Sequence, residues 1–359
     1  MKTFVDAAEN ALYIPIWTTV KKNIKYLKIA IAVLLIYFLI TSGRLDLSNL
    51  STFLNSLQSM IFSTFSFLLL VLVYFITVVR WNILLKAQKI NVSFMKALRF
   101  SFIGFFFNTA LVGSLGGDFV KMCYVAREAK TERTKAIMTV IMDRIIGLTA
   151  LVTLASMSCL SIIDIILSDK RLFSLAILTW GLLAALIFFF FLGLYYFSRE
   201  NNIIFRVVQK CPFSEHILNV LRSINGYRHC KRHVVYAFFI TIALQLISFF
   251  VLIAISRFLG ETQIATVSYL FIIPLGFLTI SLPITPGGIG VGQVAFLFLF
   301  NLLRGDSTSL GADAFTFYQI LTIIVNLMGI FPFVAHKREL KDIERNTPNN
   351  QPPRVATLS

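Results

Sequence analysis

The chain has 359 residues, 57% of them hydrophobic and only 14% charged, and its mean hydropathy is +0.80. Soluble domains are roughly half apolar and a quarter charged, so this composition excludes a soluble globular fold and predicts an all-α polytopic membrane protein. The formal charge of +16 does not make it a nucleic-acid binder, because its basic residues cluster in loops between apolar blocks, where a membrane protein marks its cytoplasmic side.

The N-terminus lacks the basic, apolar and small-residue pattern of a cleaved signal peptide, so the first apolar block, Leu27 to Gly43, is expected to be a retained anchor. Crossing roughly 30 Å of hydrocarbon takes about 20 apolar residues. With that block, Leu57 to Val79, Ala136 to Leu160, Leu172 to Phe197, Val234 to Ser256 and Ala314 to Ala335 predict six full spans. Two further apolar regions, Phe100 to Gly117 and Ala265 to Leu303, are interrupted by glycine or proline. The longest loop, Arg199 to Arg232, is too short for a soluble catalytic domain of usual size. Of the cysteines, Cys123, Cys211 and Cys230 lie in or beside basic loops expected to face the reducing cytoplasm, and with Cys159 they suggest no disulfide framework.

Of the 33 Lys and Arg residues, 27 lie in segments 1–28, 80–99, 118–135, 199–232 and 336–359, which places both termini and those loops inside. Phe100 to Gly117 then has cytoplasmic loops at both ends and should enter and return. Ala265 to Leu303 is flanked outside by Arg257 and Glu261 and by Arg304, Asp306 and Asp313, so it should also return, unless its 39 residues cross twice. Each half reads as two spans, a re-entrant hairpin and one span, residues 27–160 and 172–335, which suggests an inverted repeat within one transmembrane domain, 1–345. The arms look unequal, since the 18 residues of the first hairpin allow only ~13 Å per arm. The Pro- and Asn-rich tail, 346–359, is expected to be disordered.

Four stretches carry candidate chemistry. PITPGGIGVGQVAF, Pro283 to Phe296, places helix breakers in a strongly apolar region. Open backbone at membrane depth is tolerated only against protein or water. Pro283 and Pro286 remove donors, Gly287 and Gly288 permit positive φ, and Gly290 and Gly292 permit close approach. A helix restarting near Ile289 would present free amides suited to an anion; a plain kink or a glycine packing contact fits the same residues. In VGSLGGDFVKMCYVAREAK, Val112 to Lys130, Gly116, Gly117 and Lys121 could form a phosphate-binding turn with Asp118 fixing its geometry. The alternative is a helix capped by Asp118 at the interface, with Lys121 snorkelling. Apart from Lys28 at the edge of the first block, Asp143 and Arg144 are the only charges within the spans as drawn, and intramembrane ionisable residues mark functional sites or an interfacial pair. His229 and His233 have the i, i+4 spacing of metal ligands, but the basic HCKRH block is better explained as a segment attracted to anionic headgroups. No metal or cofactor is expected, and no nucleotide loop or hydrolase motif is present.

Taken in order, GSLGGDFVKMCYVAR, DRIIGL and PITPGGIGVGQVAF resemble the flippase-like family formed by the transmembrane region of lysylphosphatidylglycerol synthases and its stand-alone relatives. The resemblance covers nearly the whole chain. It implies a protein of the bacterial or archaeal cytoplasmic (inner) membrane that moves a phospholipid or a lipid-linked headgroup between leaflets. It places the glycine-acid motif on Gly116, Gly117 and Asp118, with Lys121 where a basic residue is common, and the acid-Arg pair on Asp143 and Arg144. The late motif falls on Pro286, Gly287, Gly288, Gly290 and Gln293, where Gln293 departs from the glutamate of many relatives. The synthases' cytoplasmic aminoacyl-transferase domain has no counterpart in this sequence, so the expectation is a translocase rather than an enzyme. The expected ligand is a membrane lipid with an anionic or lipid-linked headgroup, and the expected partners are further copies of this chain or an envelope-lipid enzyme. A transferase acting on a lipid-linked substrate through Asp118, or a non-transporting subunit, is the alternative.

Overall fold

The computed structural model describes residues 57–110, 116–129, 131–196, 226–227 and 230–335, with 34, 36, 37, 40 and 41. The expected anchor span, Gly113, Cys211, His229 and the tail from 346 therefore lie wholly or largely outside the described residues. What is described is helical, with no strand among the described residues: α1 (Leu57–Ala87), α2 (Phe94–Ala110), α3 (Gly116–Glu128), α4 (Arg133–Ser161), the short α5 (Ile163–Ser168), α6 (Lys170–Tyr196), α7 (Lys231–Phe258), α8 (Thr266–Ser281), α9 (Val291–Arg304) and α10 (Leu310–Leu327).

Among the described residues, six segments are long and apolar enough to cross a bilayer. Five of them, Leu57–Ala87, Arg133–Ser161, Lys170–Phe188, Lys231–Phe258 and Leu310–Ala335, contain or overlap the expected spans. The sixth, Pro286–Arg304, covers the second half of the second broken region and ends one residue beyond it. Large side chains such as Leu68, Phe75, Phe188, Phe239 and Phe331 are exposed, as lipid-facing surface requires, while Trp81, Phe271, Phe296 and Phe315 are buried between helices.

Both broken regions fold as antiparallel helical hairpins. In the first, Lys96 pairs with Glu128 at 2.7 Å at the open end, and Phe100 stacks on Tyr124 at 5.4 Å. Gly104 lies against Gly117 and Lys121, and Asn108 Oδ1 accepts from the Gly117 N–H at 2.9 Å near the tip. A Cβ on Gly117 would run into the Gly104 carbonyl oxygen, so the arms can approach this closely only with glycine there. This corrects the short hairpin read from Phe100 to Gly117: the arms are α2 and α3, 17 and 13 residues, or about 25 and 20 Å long. Lys96, Arg99, Lys121 and Arg127 had suggested loop, but they belong to the two helices.

In the second hairpin, Tyr269 meets Phe300 edge-on at 5.6 Å, and Gly276 makes room for the Phe296 ring. Between the arms, Pro286 to Gly288 form one 3-10 turn, and Gly287, Gly288 and Gly290 adopt φ of 59°, 74° and 82°. These left-handed angles explain why the break is built of glycine. The helix resumes at Val291, two residues later than expected.

The contacts repeat. In the first group α1 packs on α2, α2 on α3, α3 on α4 and α1 on α4; in the second α7 packs on α8, α8 on α9, α9 on α10 and α7 on α10. Between groups α1 packs on α7, and the α1–α10 and α2–α10 contacts correspond to α7–α4 and α8–α4. Exchanging α1 with α7, α2 with α8, α3 with α9 and α4 with α10 leaves this set unchanged.

Candidate functional site

Helix α1 does not end at Val79. The apolar run resumes after Arg80 as Trp81 to Leu85, and the helix continues to Ala87, which carries Arg80 into the bundle with only 8% of its surface exposed. Asp143 and Thr241 each lie ten residues into α4 and α7, about 15 Å from those helix starts. There they converge: Arg80 Nε donates to Asp143 Oδ1 and Nη1 to Thr241 Oγ1, both at 2.9 Å. Asp143 and Arg144 are thus not the only charges within the spanning helices, and the adjacent pair does not bond to itself. Arg144 turns to Asp118.

Lys121 approaches from the first hairpin. It is 4% exposed, with Nζ 3.9 Å from Asp143 Oδ2 and 3.8 Å from the centroid of the Trp81 ring. Trp81 is in turn fixed by donating from Nε1 to Thr139 Oγ1 at 3.1 Å. A snorkelling interfacial lysine is excluded by this burial; carboxylate and ring face together replace the water it has lost. Asp118 lies in the first turn of α3, which already begins at Gly116, and its carboxylate pairs with Arg144 rather than serving as the cap residue ahead of the helix.

Arg80, Asp118, Lys121, Asp143, Arg144 and Thr241 line a cavity of about 390 Å³. Among the described residues its charged members are Arg80, Lys121 and Arg144 against Asp118 and Asp143, an excess of one positive charge. Asn108, Thr109, Gln245, Ser248, Gln319 and Asn326 add amides and hydroxyls, and Leu148, Leu151, Phe277, Ile280 and Ile323 an apolar wall. The two hairpins meet here: α2 touches the Pro286–Gly288 turn, and Gly287 lines the cavity alongside Asn108.

The remaining expected residues shape the site without all facing it. Gly117 packs the first hairpin and Gly288 lies against Ile280. Pro286 starts the 3-10 turn. Gln293 is buried at 2% exposure and outside the cavity lining, where Oε1 accepts from the Gly290 N–H at 2.8 Å and Nε2 donates to Gln319 Oε1 at 2.7 Å. Gln319 Nε2 then donates to the Gly287 carbonyl at 2.9 Å, closing a chain of amides that holds the broken backbone against α10. Arg80, Gln319 and Asn326 were not singled out in the sequence. For Arg80 the signal was present, since WNILLKA prolongs the apolar helix beyond it. Among the described residues no cluster of three or more His, Cys, Asp or Glu could hold a metal ion.

Comparison with known proteins places this geometry. The family model described as the lysylphosphatidylglycerol synthase TM region matches residues 26–329. A UPF0104 membrane protein of Pyrococcus horikoshii is 35% identical over 129 residues, which is 34% of this chain and 36% of the relative, so the similarity spans about a third of that protein's length. No solved structure matches.

Proposed function

We propose, for a chain that belongs to the lysylphosphatidylglycerol synthase transmembrane-region family, that it is a lipid translocase that moves an anionic or lipid-linked headgroup between leaflets while the acyl chains stay in lipid. The observation that carries the reading is the net-positive cavity enclosed by two hairpins whose inner ends meet within an apolar bundle. Charged side chains are rarely buried at membrane depth without a substrate or ion to serve. Paired broken helices at matching positions also mark the substrate sites of transporters. The repeating contacts of α1–α4 and α7–α10 support an inverted repeat, with the first hairpin entering from the cytoplasmic side and the second from outside. The basic loops support placement in the cytoplasmic membrane with both termini inside.

A transferase would need a base at the membrane face. Asp118 is committed to Arg144, and Asp143 to Arg80 and Lys121, which favours translocation. The test uses proteoliposomes containing a fluorescent anionic phospholipid quenched from outside by dithionite. The expected result is loss of the protected inner-leaflet signal several-fold faster than in empty vesicles, with Arg144→Gln slow. Equal rates with and without protein, across anionic phospholipids and polyprenyl phosphates, would refute the proposal.

A further inference from the structure

Several glycines in the helices around the cavity are explained by packing. A Cβ at Gly117 would run into the Gly104 carbonyl oxygen, at Gly276 into the Phe296 ring, at Gly292 into the Phe315 ring and at Gly311 into the Phe296 carbonyl oxygen. Gly147 in α4 has no such neighbour, since a Cβ there would meet nothing within 4 Å. Nor does it adopt the positive φ that calls for glycine. Inside a helix glycine is less favourable than alanine, so neither packing nor conformation accounts for this residue. Gly181 is free of neighbours too, but it is exposed on α6 and outside the cavity lining.

The space beside Gly147 is the cavity itself. Asp143, Arg144, Gly147, Leu148 and Leu151 all line it, at the spacing that puts them on one face of α4, while the exposed Ile145 lies on the opposite side. Helical side chains lean toward the N-terminus, so one at position 147 would reach over the turn that carries Asp143 and Arg144. The wall also changes character here. Before Gly147 come Asp143 and Arg144, with Lys121 beside them; after it come Leu148 and Leu151, with Phe277 and Ile280 of α8, which packs on α4.

An amphiphile lying along this face puts its anionic group at the cations and its apolar part at the leucines, with the junction between the two over Gly147. In a single-chain lipid that junction is one narrow strand; in a glycerophospholipid it is a branched glycerol bearing two esters. We infer that Gly147 sets the width of the cavity and that its missing side chain admits the branched junction of a two-chain glycerophospholipid. The inference takes a lipid substrate from the translocase reading and adds its class, but its test reads binding and stability.

The experiment follows binding to the purified full chain in detergent by thermal shift. Its two probes share headgroup and charge, short-chain phosphatidylglycerol with two chains and lysophosphatidylglycerol with one, each below its micellar concentration. The parent is expected to bind the two-chain probe several-fold more tightly. Gly147→Leu should weaken that binding about tenfold or more, the cost of overfilling a packed site, and leave the one-chain probe within about twofold. Gly147→Ala should raise the SDS-unfolding midpoint, since its methyl meets no neighbour and the helix gains propensity, yet still loosen the two-chain probe. A glycine kept for packing would lower the midpoint instead. Gly181→Leu on α6 should change binding of neither probe. Equal weakening of both probes, unchanged two-chain binding in the variants, a lowered midpoint for Gly147→Ala, or no response of the parent to either probe would overturn the inference; if Gly147→Leu does not fold, Gly147→Ala decides on the same readouts. Selective two-chain binding without accelerated dithionite quenching would sink the translocase reading and leave this assignment standing, whereas accelerated quenching that Gly147→Leu leaves unchanged would do the reverse.

Discussion

Replacing Asp143 by Leu removes the one carboxylate that two buried cations share. Arg80 Nε lies 2.9 Å from it and Lys121 Nζ 3.9 Å, and the three side chains are 9%, 10% and 5% exposed for Arg80, Asp143 and Lys121. At an effective dielectric constant of about 20 these separations correspond to attractions of about 6 and 4 kcal/mol, most of which desolvation of the ions offsets. The asymmetry is what matters: removing one partner of a buried pair costs about 3–5 kcal/mol, whereas replacing both by apolar residues of similar volume is often neutral. Asp143→Leu is therefore expected to destabilise the protein by about 3–5 kcal/mol. Arg80→Met should cost less, because Lys121 still faces the carboxylate, and the double variant should recover at least about 2 kcal/mol relative to the sum of the single changes. The assay is unfolding by SDS in mixed micelles, run as a double-mutant cycle. Additivity within about 0.5 kcal/mol would refute the reasoning, since it would mean that the two ions do not stabilise one another. The recovered double variant is further expected to move no lipid, which separates the fold's need for balanced charge from the site's need for these charges.

Three other outcomes are expected. Gly117→Ala should cost about 1–3 kcal/mol by forcing the arms of the first hairpin apart, whereas Gly181→Ala on α6, whose added Cβ meets nothing within 4 Å, should be neutral or gain up to about 1 kcal/mol of helix propensity; the same SDS unfolding measures both. Gln319→Ala leaves the Gly287 carbonyl and Gln293 Nε2 without their partners, at about 1–3 kcal/mol for each buried group, and should make a cysteine placed at Ile289 react faster with a soluble maleimide. At the turn between α9 and α10, the Arg304 guanidinium bonds Asp306 and lowers its carboxyl below the usual range. Because that pKa is depressed in the folded state, the contact stabilises above about pH 4 and is lost as the pH falls through the folded value. Asp306→Asn should flatten the acid limb of an unfolding-versus-pH profile and leave the neutral limb unchanged.

The long apolar helices were legible because twenty apolar residues in lipid have few alternatives to a helix, and α1, α4, α6, α7 and α10 coincide with blocks visible in the sequence. The errors cluster where charge enters a helix. The charge pattern ends a span before Arg80 and puts Lys96, Arg99 and Lys121 in loops, since basic residues ordinarily mark the membrane boundary. Each has a local partner or position that no linear pattern displays: Arg80 has Asp143, 63 residues away, Lys121 has the Trp81 ring, and Lys96 has Glu128 across the hairpin. Asp118, Lys121, Asp143, Arg144 and Gly287, which lie in three separate motifs, line one cavity. Asn326 and Gln319 carried no signal, because one amide in an apolar helix resembles any other until the facing residue is known.

The correspondence of contacts between α1–α4 and α7–α10 is not matched by a correspondence of chemistry. Among the described residues the cavity's ions come from the first group, while the second contributes amides, hydroxyls and the Gly287 turn. On the translocase reading this asymmetry has a use. A site with three unopposed cations would bind a phosphate too tightly to release it, since transport requires affinity strong enough for entry and weak enough for exit. Asp118 and Asp143 reduce the excess to a single charge while keeping the cations in fixed positions. The neutral wall then offers hydrogen bonds that differ little in strength between one hydroxylated headgroup and the next, so it can recognise a polar group without trapping it. Adding a charge there is accordingly expected to harm transport in either sense: Gln319→Lys by slowing release of the phosphate and Gln319→Glu by repelling it. A Gln319→Lys variant that moved anionic lipid faster than the parent would show that entry, rather than release, limits the rate.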